Sequence, residues 1–376
     1  MLEAKNADRI GLLLSGGGAR ASYRVGVLCA ISELLPKNAS NPFHIISGTS
    51  AGALNAASLA CHAQRLRTGV RLLEHVWKSI SSDQVYTQQS GKLFGRVSVI
   101  LLASMRTKVT DAPISLLDNS PLLDLLQRML KLNKIQRNID RGLLDALSVT
   151  ASAYNTDESV SFYRGMKGLS DWEDPQRIGR RTKISRSHLM ASSALPALFP
   201  AVKIDEQFYG DGAVRQLAPT STPIHLGATR LLAIGVSGNR SNTPVENTNA
   251  APPSISQILG HMLNSAFVDT LENDLAFLRD MNDVLDELPQ GLINSRKISA
   301  QKIELLEISP SKEINTLATQ FYDELPKQMA KSIKPDTSSA LLSPVLFEKG
   351  FCSALWKMGY EDASSKESNI RHFFRN

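Results

Sequence analysis

Over the first 60 residues, short apolar runs alternate with stretches whose apolar positions recur at helical spacing. "RIGLLLS" (9–15) predicts a buried strand. "ASYRVGVLCAISELL" (21–35) then places Val25, Leu28, Cys29, Ile31 and Leu34 or Leu35 along one helical face. "PFHIIS" (42–47) predicts a second strand, followed by a run of helix formers, "AGALNAASLACHAQRL" (51–66). Strands alternating with helices imply an α/β fold with parallel pairing and right-handed crossovers. Further on, "LLDALSVTASAYN" (143–155) and "SVSFYR" (159–164) read as strands with Thr156 and Asp157 near the loop between them, "VKIDEQFYGDGA" (202–213) as a hairpin, and "RLLAIGVSG" (230–238) as the strand closing the parallel set. The polar, proline-bearing stretch 239–254 reads as a loop. After it, Ile255, Ile258, Leu259, Met262, Leu263, Ala266 and Phe267 mark the start of a long amphipathic helix.

Composition narrows the class. At 376 residues, 42% hydrophobic and 21% charged, the chain is neither disordered nor fibrous and is long enough for one large domain or two smaller ones. Its three cysteines, Cys29, Cys61 and Cys352, are distant and in no ligand spacing, so they read as buried small hydrophobes and no metal or cofactor is expected. The N-terminus shows no secretory apolar region, which reads as cytoplasmic. No run approaches the roughly 20 apolar residues of a membrane span, so membrane contact would be peripheral, at the inner face. The net charge of +6 gathers in 92–108, 128–141 and 177–186. These runs are either solvated faces or a match for an anionic partner; zinc-finger spacings and RNP-type aromatics are missing, so a lipid surface is favoured and no nucleic acid is expected. Within the first run, "VSVILLA" (97–103) is flanked by Lys92, Arg96, Arg106 and Lys108, which makes 81–120 a lid, an interfacial segment or a buried helix.

Two glycine motifs carry the chemistry. Gly48-Thr49-Ser50-Ala51-Gly52 lies between a predicted strand and a predicted helix, where flanking glycines relieve a sharp turn and expose Ser50 as a nucleophile. "SGGGARASYRVGVL" (15–28) poses a choice, because Gly16-x-Gly18-x-x-Ala21 also fits a dinucleotide fingerprint. The acidic residue such a site needs at the end of the second strand is replaced by Gly48-Thr49-Ser50, and no Lys follows the glycines as in a P-loop. An oxyanion hole fits better, with backbone N–H groups of the Gly16, Gly17 and Gly18 turn, Gly17 and Gly18 above all, joined by that of Ala51. Arg20 would fix this loop, add positive potential, or form a structural ion pair.

A serine hydroxyl needs a base. None of the seven histidines stands in a recognisable catalytic setting; His225 keeps some interest for following the Asp211 segment. Asp211-Gly212 alone reads as a hairpin turn. Together, Gly16 to Arg20, Gly48 to Gly52, "ASSALPALFP" (191–200) and Asp211-Gly212-Ala213 resemble the patatin-like family of lipid acyl hydrolases. The likeness covers about 10–238, and "LFEKGFCSALWKMGYEDA" (346–363) is similar to bacterial members. It departs at Ala21 and Ala213, where relatives often carry Gly, and 81–150 shows no matching motif.

The resemblance implies a three-layer α/β sandwich with a mostly parallel central sheet: a hydrolase domain over 9–238, a loop over 239–254, and a mainly helical extension over 255–376 packed on the core. It implies a Ser50–Asp211 dyad, with Gly48, Gly52 and Gly212 in support, acting on phospholipid or lysophospholipid. Oligomeric state is not implied. The alternatives are a soluble thioester or small-ester hydrolase with the same dyad, a His225 triad, and a non-catalytic lipid or nucleotide sensor.

Overall fold

The computed structural model describes residues 8–88, 115–236, 255–289, 301–330 and 339–375. The basic run 92–108 and the loop 239–254 lie outside the described residues. In chain order the strands are β1 (Ile10–Leu14), β2 (Ile45–Thr49), β3 (Thr87–Gln88), β4 (Leu117–Asp118), β5 (Ala146–Ala153), β6 (Ser159–Gly165), β7 (Trp172–Asp174), β8 (Arg177–Arg181), β9 (Val202–Ile204), β10 (Gln207–Asp211), β11 (Arg230–Ile234) and β12 (Glu304–Ile308). The main sheet runs β12-β11-β1-β2-β5-β6-β8-β7, with β9 and β10 branching from β5. From β12 to β5 every pairing is parallel. Beyond β5 the antiparallel β6 and the β7–β8 ribbon extend the edge.

The first two helices are α1 (Ala21–Leu34) and α2 (Ala51–Cys61), followed by α3 (Leu66–Ser79). Alternation along β1 shows why both faces of the sheet are covered. Leu12 and Leu14 join α1 and α2 in the main core, whereas Leu13 packs with Leu231, Ala233 and Leu271, Leu275 and Leu278 of the helix Thr270–Glu287. The result is a mixed α/β fold with helices on both faces of a mostly parallel centre.

Two features differ from the sequence reading. The parallel set does not end at β11: Glu304–Ile308 adds one more strand, parallel to β11. Its period-2 signal is short and interrupted by Glu304 and Glu307, which lie half-buried at the sheet edge. Helix α1 is not one-sided either, since Ala21 through Ser32 are all buried. Its second face is covered by the helix Lys349–Ser365, and small residues allow the backbones to approach. A Cβ on Gly26 would fall on the Trp356 carbonyl, and one on Gly359 would fall on the Tyr23 carbonyl. Around this seam, Ser22 Oγ donates to Cys352 O at 2.6 Å and Tyr23 Oη donates to Asp362 Oδ2 at 3.0 Å.

Gly359→Ala therefore forces two helix backbones apart. We expect it to lower unfolding free energy by about 1–3 kcal/mol, read as an earlier urea midpoint with unchanged m-value.

Candidate active site

The sheet register explains how Ser50 and Asp211, 161 residues apart, come together. Strand β2 lies beside the first part of β5, ending with Thr49 opposite Thr150. Strand β10 takes up the same edge where β2 stops, with Asp211 opposite Ala151. β2 and β10 thus meet end to end. Ser50 Oγ donates to Asp211 Oδ2 at 2.5 Å, with Ser50 3% exposed and Asp211 fully buried.

The elbow is strained: Ser50 has φ 55° and ψ −132°, a backbone conformation that non-glycine residues rarely adopt. The flanking glycines have steric causes. A Cβ on Gly48 would come within 2.6 Å of Ala53 Cα, and one on Gly52 would strike the Leu14 and Ser15 carbonyls. Gly212 is required similarly, because its Cβ would meet the Thr150 carbonyl. A hydrogen-bonded clamp holds the bend. Ser50 N donates to Ser192 Oγ at 2.9 Å, and Ser192 Oγ donates to Thr150 O at 2.6 Å. Behind it, Thr49 Oγ1 donates to Gln216 Oε1 at 2.5 Å, and Gln216 Nε2 donates to Thr150 Oγ1 at 3.2 Å.

Asp211 is held at three points. Its N–H donates to Ala194 O at 2.8 Å, its Oδ1 accepts from Ala213 N at 2.9 Å, and its Oδ2 takes the Ser50 hydroxyl. Burial raises its pKa from 3.8 to about 7; the hydrogen bonds from Ser50 and Ala213 pull the other way and are outweighed.

Of the predicted glycine-loop residues, Gly18 lines the same cavity as Ser50 and Ala51. Gly17 and Gly18 have φ of 146° and 55°. Gly16 is turned instead against Phe267, and Gly17 lies over Val236; neither borders the cavity. Arg20 is buried and ties the loop to distant segments: Nε donates to Ser343 Oγ at 2.8 Å, and the guanidinium reaches Asn315 Oδ1 at 2.9 Å and Asn264 Oδ1 at 3.2 Å. His225 does not approach Ser50. It bonds Asp174 Oδ2 at 2.9 Å and stacks on Trp172.

Sequence reasoning missed four contributors. Ser192 lay within a quoted motif, but its neighbours gave no hint that its hydroxyl would accept from the elbow. Gln216 and Thr150 carried no signal. Arg24, one turn after Arg20, is wholly buried; it donates to Ser15 Oγ at 2.9 Å, to Gly16 O at 2.5 Å and to Ile234 O at 3.3 Å. Burial, then the Arg20 charge, pulls its pKa down.

From Ser50 the cavity runs between α2, α3 and the helix Ser120–Met129, lined by Leu54, Leu73, Trp77, Leu122, Leu126 and Phe347. No helix among the described residues is long and apolar enough to cross a membrane.

These features define an α/β protein with a serine elbow, a buried carboxyl in hydrogen-bond contact with it, and a glycine turn bordering the same apolar cavity. The sequence profile described as patatin-like phospholipase matches residues 12–224. The chain belongs to the patatin-like phospholipase family, a family of lipid acyl hydrolases. No curated protein matches it significantly. Among solved structures, VipD from Legionella pneumophila is similar with a TM-score of 0.35 and 14% identity, over 96% of this chain and 67% of VipD. Human GIVD cytosolic phospholipase A2 gives a TM-score of 0.44 and 12% identity, over 98% of this chain and 60% of the human one. Its complex with methyl gamma-linolenyl fluorophosphonate gives 0.43 and 13%, over 100% and 60%. The chain thus spans about 60% of the human enzyme's structure. Likeness at this level bears on neither site nor substrate.

Because the folded pKa of Asp211 lies above its unfolded value, the native chain holds a proton that the unfolded chain has released between about pH 4 and about pH 7. The contribution of Asp211 to stability therefore falls as pH rises through that window and is level above it. Asp211→Asn removes the effect: urea unfolding should show a stability gain over wild type that is small at pH 4 and reaches on the order of 1–4 kcal/mol at pH 8.

Proposed function

We propose that this chain is a serine acyl hydrolase that cleaves fatty-acyl esters of phospholipids or lysophospholipids. The observation that carries the reading is the 2.5 Å contact between Ser50 Oγ and the fully buried Asp211 carboxyl, at the edge of an apolar cavity. Ser50 attacks the ester carbonyl and passes its proton to Asp211. A carboxylate of ordinary acidity is a weak base; one whose pKa burial has raised to about 7 is matched to proton transfer near neutral pH. Backbone N–H groups of Gly18 and Ala51, both at the cavity wall, receive the carbonyl oxygen as it becomes negative, at the positive end of α2. Leu54, Leu73, Trp77, Leu122, Leu126 and Phe347 take the acyl chain. Water activated by Asp211 then hydrolyses the acyl-enzyme.

Peripheral contact with a lipid surface is part of the reading. Val214 and Leu217, just beyond Asp211, are 42% and 66% exposed, and apolar side chains held out in water near a lipid site suit insertion among acyl chains.

A fluorophosphonate probe should label wild type at Ser50 and leave Ser50→Ala unlabelled, with phospholipid turnover falling at least about a thousandfold. Asp211→Asn should lose both labelling and turnover while folding normally. Wild-type kcat/KM should rise from pH 5 to pH 8 with a midpoint near 7, since only deprotonated Asp211 accepts the proton. Full turnover in either variant would end the reading.

A further inference from the structure

Near the elbow the cavity wall is formed by Gly18, Ser50, Ala51, Asn55 and Ser193. The Asn55 side chain is already engaged: Oδ1 accepts from Trp77 Nε1 at 2.9 Å, and Nδ2 donates to Ala21 O at 3.4 Å. Ser193 differs. It is 6% exposed, and its Oγ has no hydrogen-bond partner among the described residues. A buried hydroxyl without a partner is disfavoured, and where it borders a cavity it marks a place for a polar group that arrives from outside.

The neighbours of Ser193 bear on which group that is. Ser192 accepts the Ser50 N–H, and the Ala194 carbonyl accepts the Asp211 N–H. Ser193 therefore sits in the segment that holds both members of the pair, whereas Gly18 and Ala51 reach the cavity from other segments. In acyl transfer the carbonyl oxygen is drawn to the N–H donors. The leaving oxygen must face the carboxyl that returns the proton to it.

We propose that Ser193 Oγ donates a hydrogen bond to the leaving-group oxygen of a bound oxyester, and so favours oxyesters over thioesters; this rests on the acyl-hydrolase reading above. In the step, the bond from Ser50 Oγ to the carbonyl carbon forms as its proton passes to Asp211. The carbon–oxygen bond to the glycerol then breaks, and the departing oxygen takes the proton from Asp211. Ser193 keeps its own proton throughout and stabilises charge on that oxygen. A thioester sulfur accepts hydrogen bonds weakly and gains little.

The test compares wild type, Ser193→Ala and Ser193→Thr on vesicles of phosphatidylcholine carrying oxyester acyl groups, and on the same lipid with sulfur at the scissile positions. Ser193→Ala should lower kcat on the oxyester by about five- to tenfold, with KM little changed and the thioester kcat within about twofold of wild type. Ser193→Thr should recover most of the oxyester rate. The melting temperature of Ser193→Ala should be unchanged or raised, because the substitution deletes an unpartnered hydroxyl. Wild-type turnover of the oxyester by Ser193→Ala, equal losses on the two lipids, or a loss of rate accompanied by a lower melting temperature would each overturn the proposal. If instead wild type cleaves neither lipid and Ser50 takes up no fluorophosphonate, the underlying reading fails rather than the role of Ser193.

Discussion

The end-to-end meeting of β2 and β10 on one edge of β5 governs the rest of the site. Parallel β2 leaves that edge at Thr150, and antiparallel β10 occupies it from Ala151 onward. Two strands running head-on must both turn away, and the residues at the two turns are Ser50 and Asp211. The contact at 2.5 Å is thus a consequence of backbone pairing, which fixes position far better than side-chain packing on a loop. It also determines the electrostatics. A carboxyl at the centre of a sheet end, with both neighbouring strands in place, cannot reach bulk water, and burial dominates its pKa.

The same junction gathers features that stability alone would disfavour. Ser50 occupies a backbone region that costs about 1–3 kcal/mol for a non-glycine residue. Burial makes the charged form of Asp211 costlier than it would be in water, and Ser193 keeps a hydroxyl with no partner among the described residues. Compensation lies immediately behind, in the clamp from Ser50 N through Ser192 to Thr150 and the bonds joining Thr49, Gln216 and Thr150. Unfavourable local choices concentrated at one point, and braced from behind, are characteristic of sites shaped for function.

Much of this arrangement was legible from residues alone, for identifiable reasons. The strand–turn–helix context of Gly48 to Gly52 is a local pattern, and the steric demands on Gly48 and Gly52 follow from the turn itself. The strands β1, β2, β5, β6 and β11 and the hairpin β9–β10 are marked by buried runs or alternation. Partners set by tertiary approach were not legible. Nothing around Ser192, Thr150 or Gln216 reveals that they face one another. Gly26 and Gly359 look like weak points in helices until the two backbones are seen to touch. β12 was missed because an edge strand half-open to solvent carries glutamates where a central strand carries leucines. The run 92–108 and the loop 239–254 are outside the described residues.

The family match ends at residue 224, yet the fold does not close there. β11, which pairs directly with β1, begins at Arg230, and β12 covers the next edge. Gly18 of the glycine turn lies so close beneath Pro344 that a Cβ would strike its carbonyl. Arg20 reaches Asn264, Asn315 and Ser343, and Phe347 completes the cavity wall by stacking on Trp77. Apart from the β11–β12 pairing, each contact joins a residue near or within the matched region to one after it, and several bear on the glycine turn or the cavity rather than on distant surface. The helix Lys349–Ser365 also buries the outer face of α1, whose residues Ala21 through Ser32 would otherwise be partly open to solvent. The segments after 224 are therefore part of the core and of the wall around Ser50, and the unit that folds and forms the site is the longer one.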